Sequence, residues 1–136
     1  MGKKKVTLDT NILISAFGWN GKPKQIFQKC INEELELITS NEQISELQEA
    51  INYPKFNFRE DEKNKFLSII LEIATIVRIT GKLNIVKTDI DDNIILETAI
   101  LGNVDYLITG DTDLLELKDQ KVKIIKASKF LDLEFM

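Results

Sequence analysis

The sequence predicts an α/β protein, a three-layer α/β/α sandwich with helices on both faces of a parallel sheet. Two observations lead there. Short β-rich runs alternate with helical patterns along all 136 residues, and strands separated by helices need crossover connections, which make them parallel. The composition, 43% hydrophobic and 29% charged, is that of a folded globular chain rather than a disordered or membrane-spanning one. A chain of this length suits one domain over residues 1–136 and can bury an adequate core. No internal repeat, low-complexity stretch or linker interrupts it.

Val6, Thr7 and Leu8 form the first strand, which stops at Asp9; Asp9, Thr10 and Asn11 then open an apolar helical stretch ending at Phe17. Residues 18–23 read as a loop, and Ile26, Phe27, Cys30 and Ile31 recur at helical spacing after it. A second strand follows at 35–38. Ser40 then reads as a helix N-cap with Gln43 in the capping-box position, and Ile44, Leu47 and Ile51 line one face until Pro54 ends the helix. Phe66, Leu67, Ile69, Ile70, Ile73 and Ala74 make the buried stripe of a helix over 61–75, and a β-branched strand follows over 76–79. Residues 81–88 connect to a helix capped by Asp91 or Asp92, so apolar from Ile94 to Leu101 that protein should nearly surround it. A fourth strand covers 106–109, residues 110–113 turn into a short helix, 122–125 give the fifth strand, and 127–133 form a terminal helix.

Histidine is absent and Cys30 is the single cysteine. An intramolecular disulfide and a zinc site of thiolate or imidazole ligands are thereby excluded. Cys30, close to Ile26, Phe27 and Ile31, reads as a small buried apolar residue. Lys3, Lys4 and Lys5 resemble the start of a signal peptide, but Asp9, Thr10 and Asn11 break the apolar stretch behind them, so a cytoplasmic protein without a membrane partner is expected. A net charge of −4 argues against a general nucleic-acid coat. It leaves room for a nuclease whose acidic pocket is neutralised by divalent ions, with lysines elsewhere, Lys3 to Lys5 or those between Lys118 and Lys129, facing the phosphates.

Without imidazole, bond-breaking chemistry falls to carboxylates, hydroxyls, lysines or a bound ion. Four acids stand where strands end or helices begin: Asp9, Glu46, Asp92 and Asp111. Each has an ordinary alternative. Asp9 and Asp92 serve equally as helix N-caps, and Asn11 can cap or hydrogen-bond locally. Glu46 falls beside the stripe of Ile44, Leu47, Ala50 and Ile51, where a glutamate is as readily solvated as functional. Asp111 in Thr109-Gly110-Asp111-Thr112-Asp113 can bind an ion or cap the short helix holding Leu114 and Leu115. Because sites in parallel sheets form beyond the carboxyl ends of the strands, Asp9 and Asp111 should share one rim. Were all four to converge, their repulsion would call for a hard divalent cation, and oxygen-only ligands select Mg²⁺ or Mn²⁺. Such an ion orients a water, lowers its pKa and stabilises a leaving oxygen, the logic of metal-assisted phosphodiester hydrolysis.

These residues resemble a known family, the PIN-domain ribonucleases, and within it the VapC-like toxins of bacterial and archaeal toxin–antitoxin pairs. Val6-Thr7-Leu8-Asp9-Thr10-Asn11-Ile12-Leu13-Ile14-Ser15 resembles the opening motif, Ser40 through Leu47 with Tyr53-Pro54-Lys55-Phe56 the second block, and Asp89-Ile90-Asp91-Asp92-Asn93-Ile94-Ile95-Leu96-Glu97-Thr98-Ala99 the third. The run from Asp105 to Leu115, with Thr109-Gly110-Asp111-Thr112-Asp113 inside it, is the most specific match. The resemblance implies a five-stranded parallel sheet and endonucleolytic cleavage of RNA dependent on Mg²⁺ or Mn²⁺. It makes Asp9, Glu46, Asp92 and Asp111 the catalytic metal ligands, with Asn11, Thr109 and Asp113 in support. It further implies a cognate antitoxin that blocks the site, and a homodimer. Asn52 stands where an arginine is expected in this branch, which bears on substrate or partner contacts.

Three rivals are distinguishable. A receiver-type signalling domain needs a phosphorylatable aspartate after the third strand, where Thr80 and Gly81 stand. A haloacid-dehalogenase-like phosphatase needs a second aspartate where this chain has Asn11. The third is a PIN-like module that binds RNA or an antitoxin with weak catalysis or none.

Overall fold

The computed structural model describes residues 2–83, 90–117 and 121–135. Among these, strands β1 (Lys4–Leu8), β2 (Leu35–Ser40), β3 (Thr75–Val77), β4 (Tyr106–Ile108) and β5 (Lys123–Ile125) form one sheet in the order β3-β2-β1-β4-β5, every neighbouring pair parallel. Helices α1 (Thr10–Gly18) and α2 (Lys22–Ile31) connect β1 to β2, and α3 (Asn41–Ile51) and α4 (Glu60–Ile73) connect β2 to β3. The helix α5 (Ile90–Leu101) precedes β4, α6 (Thr112–Leu115) precedes β5, and α7 (Ala127–Phe135) follows it. The chain winds outward from β1 to β3, then crosses back to β4. Its direction of winding therefore reverses between β1 and β4, where a crevice opens at the carboxyl ends.

Side chains alternate across the sheet. Val6, Leu8, Leu35, Leu37, Ile108 and Ile125 face the larger core with α1, α2, α3, α4 and α7. Ile38 and Leu107 face a smaller one with Ile95, Leu96 and Ala99 of α5 and Leu114 of α6. An aromatic ladder closes the larger core at the surface: Phe17 stacks on Phe66 and tilts against Phe58, which stacks on Phe56, and the edges of Trp19 meet both Phe56 and Phe58.

Several elements differ from expectation. The third strand covers Thr75–Val77 rather than 76–79, because Val77 pairs with Ser40, the last residue of β2; beyond it there is no ladder partner. Pro23 lies in the first turn of α2 and not in a loop, a position where its missing N–H costs nothing. Asp91 and Asp92 are first-turn residues of α5, which begins at Ile90, rather than its cap. The apolar stretch of α5 is enclosed as expected over residues 95–99 and meets solvent at its end, where Leu101 is 50% exposed. Lys3, Lys4 and Lys5 lie at the amino end of β1, roughly 13–20 Å of extended chain from Asp9. They therefore stand at the opposite end of the strand from Asp9. Lys118 and Asp89, and the connection over 84–88, lie outside the described residues.

Candidate active site

Asp9 is held from three directions. Its N–H donates to the Ile108 carbonyl at 3.1 Å, extending the ladder between β1 and β4 by one rung. Its Oδ1 caps α1 by accepting the Ile12 N–H at 2.8 Å, and its Oδ2 accepts the Thr109 hydroxyl. The Thr109 oxygen accepts in turn from the Asp111 N–H at 3.0 Å, and Asp111 caps α6 by accepting the Asp113 N–H at 2.8 Å. Thr109 is fully buried, so it acts as a fixed rivet between the two strand ends. Asp92 enters from the first turn of α5 and is 8% exposed; Glu46 enters from α3 and is half-buried.

Asp9, Glu46, Asp92 and Asp111 line one small cavity of about 150 Å³ together with Thr10, Asn11, Asp91 and Ile95. Asp92, Asp111 and Asp113 each bring a carboxylate oxygen within 4.8 Å of the others. Burial pushes the Asp9 carboxyl above its ordinary range, and Asp111 adds to this, while the Thr109 hydroxyl and the N–H groups of Ile12 and Asn11 oppose it. An anionic group held dry beside other anions is relieved by a cation. The donors are all oxygens, which fits a hard divalent ion such as Mg²⁺ or Mn²⁺. The Thr10 hydroxyl supports the fit: it is buried at the pocket without a hydrogen-bond partner among the described residues, a free oxygen in an oxygen-lined cavity.

Of the supporting residues, Asn11 is exposed on the cavity wall, Thr109 acts through Asp9 and Asp111, and Asp113 approaches Asp92 and Asp111 from the exposed turn of α6. Thr10 and Asp91 were not foreseen as site residues. Thr10 and Asp91 sit inside the motifs that mark Asp9 and Asp92, so adjacency was their only signal. The capping box forms on one side only: Ser40 Oγ accepts the Gln43 N–H at 3.3 Å, while the Gln43 amide turns away to β1 and β2. Thr80 and Gly81 donate to the Glu97 carboxylate, which leaves the place after β3 without the acid a receiver domain requires. Asn52 caps α3, donating to the Gln48 carbonyl at 2.7 Å and accepting from Lys63 at 2.6 Å. Burial pushes the Cys30 thiol to about 12, so it is inert at neutral pH.

A doubly wound parallel sheet with carboxylates gathered at its switch point defines the molecule as an α/β protein with an acidic cavity at the carboxyl ends of its strands. The chain belongs to the PIN domain family, which matches residues 5–113, a family of nucleases. Several solved structures share its fold, among them the two that follow. PAE2754 from Pyrobaculum aerophilum is 17% identical with a TM-score of 0.64, over 98% of this chain and 97% of that one. A chain of VapBC2 from Rickettsia felis, crystallised bound to a DNA fragment from its promoter, is 17% identical with a TM-score of 0.62, over 88% of this chain and 96% of that one. No curated protein matches the chain in sequence. Among the described residues no helix is long and apolar enough to cross a membrane.

Proposed function

We propose that the chain is a metal-dependent endoribonuclease, with Mg²⁺ or Mn²⁺ as cofactor, that hydrolyses RNA phosphodiester bonds as the toxin of a toxin–antitoxin pair. The observation behind this reading is the convergence of Asp9, Glu46, Asp92 and Asp111 on one cavity at the switch point of a PIN-family fold. A divalent ion supplies Lewis acidity and an acidified water. The chain's own part is to hold it: Asp9, Glu46, Asp92 and Asp111 supply ligand oxygens, with Asp113 at the open side. Thr109 fixes Asp9 and Asp111 relative to each other, and Asn11 and Thr10 offer neutral polar groups to substrate or water. Ile95, 2% exposed, lines the cavity beside the acids and keeps its local dielectric low.

The partners in this reading are RNA, a cognate antitoxin and a second copy of the chain, in the cytoplasm. Likeness of fold to a VapBC2 chain supports the antitoxin. So does the pair of exposed aromatics Trp19 and Tyr53, which flank Phe56 and offer the kind of anchor protein interfaces favour.

The test is cleavage of end-labelled single-stranded and structured RNA by the purified chain with Mn²⁺, Mg²⁺ or EDTA, beside Asp9→Asn and Asp92→Asn. Cleavage with either ion, and its loss to background in EDTA and in both variants, is expected. Activity that persists in EDTA or survives both substitutions would sink the reading. RNA bound but never cut would turn it towards a binding module. Light scattering on the same preparation should read the mass of two copies.

A further inference from the structure

We infer that Gln43 is a positioning residue for the acidic pocket: it holds α3 against the end of β1 so that Glu46 and Asp9 keep the separation a shared divalent ion requires. The inference rests on the reading of that pocket as a metal site. Gln43 is 1% exposed and its amide is engaged at both ends. Nε2 donates to the Leu8 carbonyl at 2.5 Å, and Oε1 accepts the Thr39 hydroxyl at 2.5 Å. Leu8 immediately precedes Asp9, and Glu46 lies one helical turn beyond Gln43. One side chain thus ties the helix that carries one acid to the strand that carries another.

Two hydroxyl bonds complete the frame. Thr7 donates to the Ile38 carbonyl at 3.0 Å, joining β1 to β2, and Ser40 and Thr98 share a hydrogen bond of 2.8 Å that joins the end of β2 to α5, the helix of Asp92. Hydrogen bonds fix angle and distance where apolar contact fixes only proximity. A glutamine serving only as a helix cap would bond back to the Ser40 N–H. In this chain it reaches across to β1, and an apolar side chain of equal volume would fill the space while leaving α3 free to slide and the Leu8 carbonyl without this donor.

The test is Mn²⁺ affinity of the full chain, read by electron paramagnetic resonance or calorimetry without RNA, for wild type, Gln43→Met and Ile70→Ala. Ile70, on α4, is buried in the larger core and reports general loss of stability. A folded Gln43→Met that binds Mn²⁺ about 10- to 100-fold more weakly, beside an Ile70→Ala that melts earlier yet binds as wild type, is expected. Wild-type affinity in Gln43→Met overturns the inference, and so does an equal loss in Ile70→Ala. Should Gln43→Met not fold, Thr39→Val, which removes one end of the bridge, decides it: a smaller fall in affinity supports the inference and no fall overturns it. A wild type that binds no Mn²⁺ overturns the metal reading and the inference together, whereas a binding wild type with an unaffected Gln43→Met overturns the inference alone.

Discussion

The two faces of the sheet are built on different physics. The face under α1 to α4 and α7 is closed by aliphatic side chains and stacked rings, and Phe130, fully buried, meets Tyr106 edge-on at 5.0 Å. The face under α5 also has an apolar centre, but it is pinned by polar bonds: Thr7 to the Ile38 carbonyl, Ser40 to Thr98, Thr98 to the Ile94 carbonyl at 2.7 Å, and Glu97 to the backbone after β3. Apolar burial contributes roughly 1.5–3 kcal/mol per large side chain, and a typical hydrogen bond about 0.5–1.5 kcal/mol net. The first face therefore supplies the bulk of the stability. The second supplies orientation to Asp92, as the Gln43 bridge does locally to Glu46 within the first.

The sharpest way to break this comparison is Phe130→Ala. Truncating a buried phenylalanine should cost about 3–5 kcal/mol, and it loosens α7, which is also tied to β4 by the Tyr106 hydroxyl donating to Glu134. That bond, with burial, pushes the tyrosine to about 12. Urea unfolding should show the whole loss, while the Mn²⁺ affinity of the molecules still folded stays that of wild type. A fall in affinity matching the fall in stability would mean that the apolar face, and not the polar one, sets the site.

The same contrast explains what could be read from the sequence. Period-two and helical spacing are local, so the alternation of strands and helices and the apolar core of α1, α3 and α5 were legible from short windows. Asp9 and Asp111 were legible for a similar reason, since a strand end names its own rim. The polar frame was not, because its bonds join residues far apart in sequence: Gln43 reaches back 35 residues to Leu8, and Ser40 meets Thr98 across 58. Gln43 even carried a misleading local signal, the capping box, which its backbone N–H honours and its amide does not. The length of β3 likewise depends on where β2 stops, and the distance of Lys3 to Lys5 from the cavity depends on strand direction. Neither is visible in its own segment.

Gly102 sharpens the comparison from the polar side. A Cβ there would sit 2.5 Å from Ile38 Cγ2 and 2.9 Å from the Thr98 carbonyl oxygen. Ile38 is 2% exposed and has little room to yield. Gly102→Ala should cost about 1–3 kcal/mol as an overpacked contact, less than Phe130→Ala. It should nevertheless weaken Mn²⁺ binding severalfold, since α5 is lifted from β2 beside the Ser40–Thr98 bond. A variant as stable as wild type would show that α5 has slack, and the polar pins would then not hold it in register.

The smallest effect, and the most specific, belongs to Glu97. This carboxylate is buried on α5, yet it accepts the Thr80 N–H at 2.9 Å, the Thr80 hydroxyl at 2.5 Å and the Gly81 N–H at 3.0 Å. Burial alone would raise its pKa; the hydrogen bonds from Thr80, Gly81 and Leu83 outweigh that and hold it below the ordinary 4.5. A carboxyl depressed in the folded state stabilises the fold above its unfolded pKa, and that contribution is lost as pH falls from about 4.5 through the lower folded value. In Glu97→Gln the amide NH₂ would face a backbone donor, which should cost about 1 kcal/mol at pH 7. Melts of the two proteins in parallel isolate the effect, because every other carboxyl titrates in both. Their melting temperatures should differ at neutral pH and converge as the pH drops below 4.5. A gap that stays constant into acid would mean that Glu97 holds the segment after β3 by shape and not by charge, which would make the second face less different from the first than its hydrogen bonds suggest.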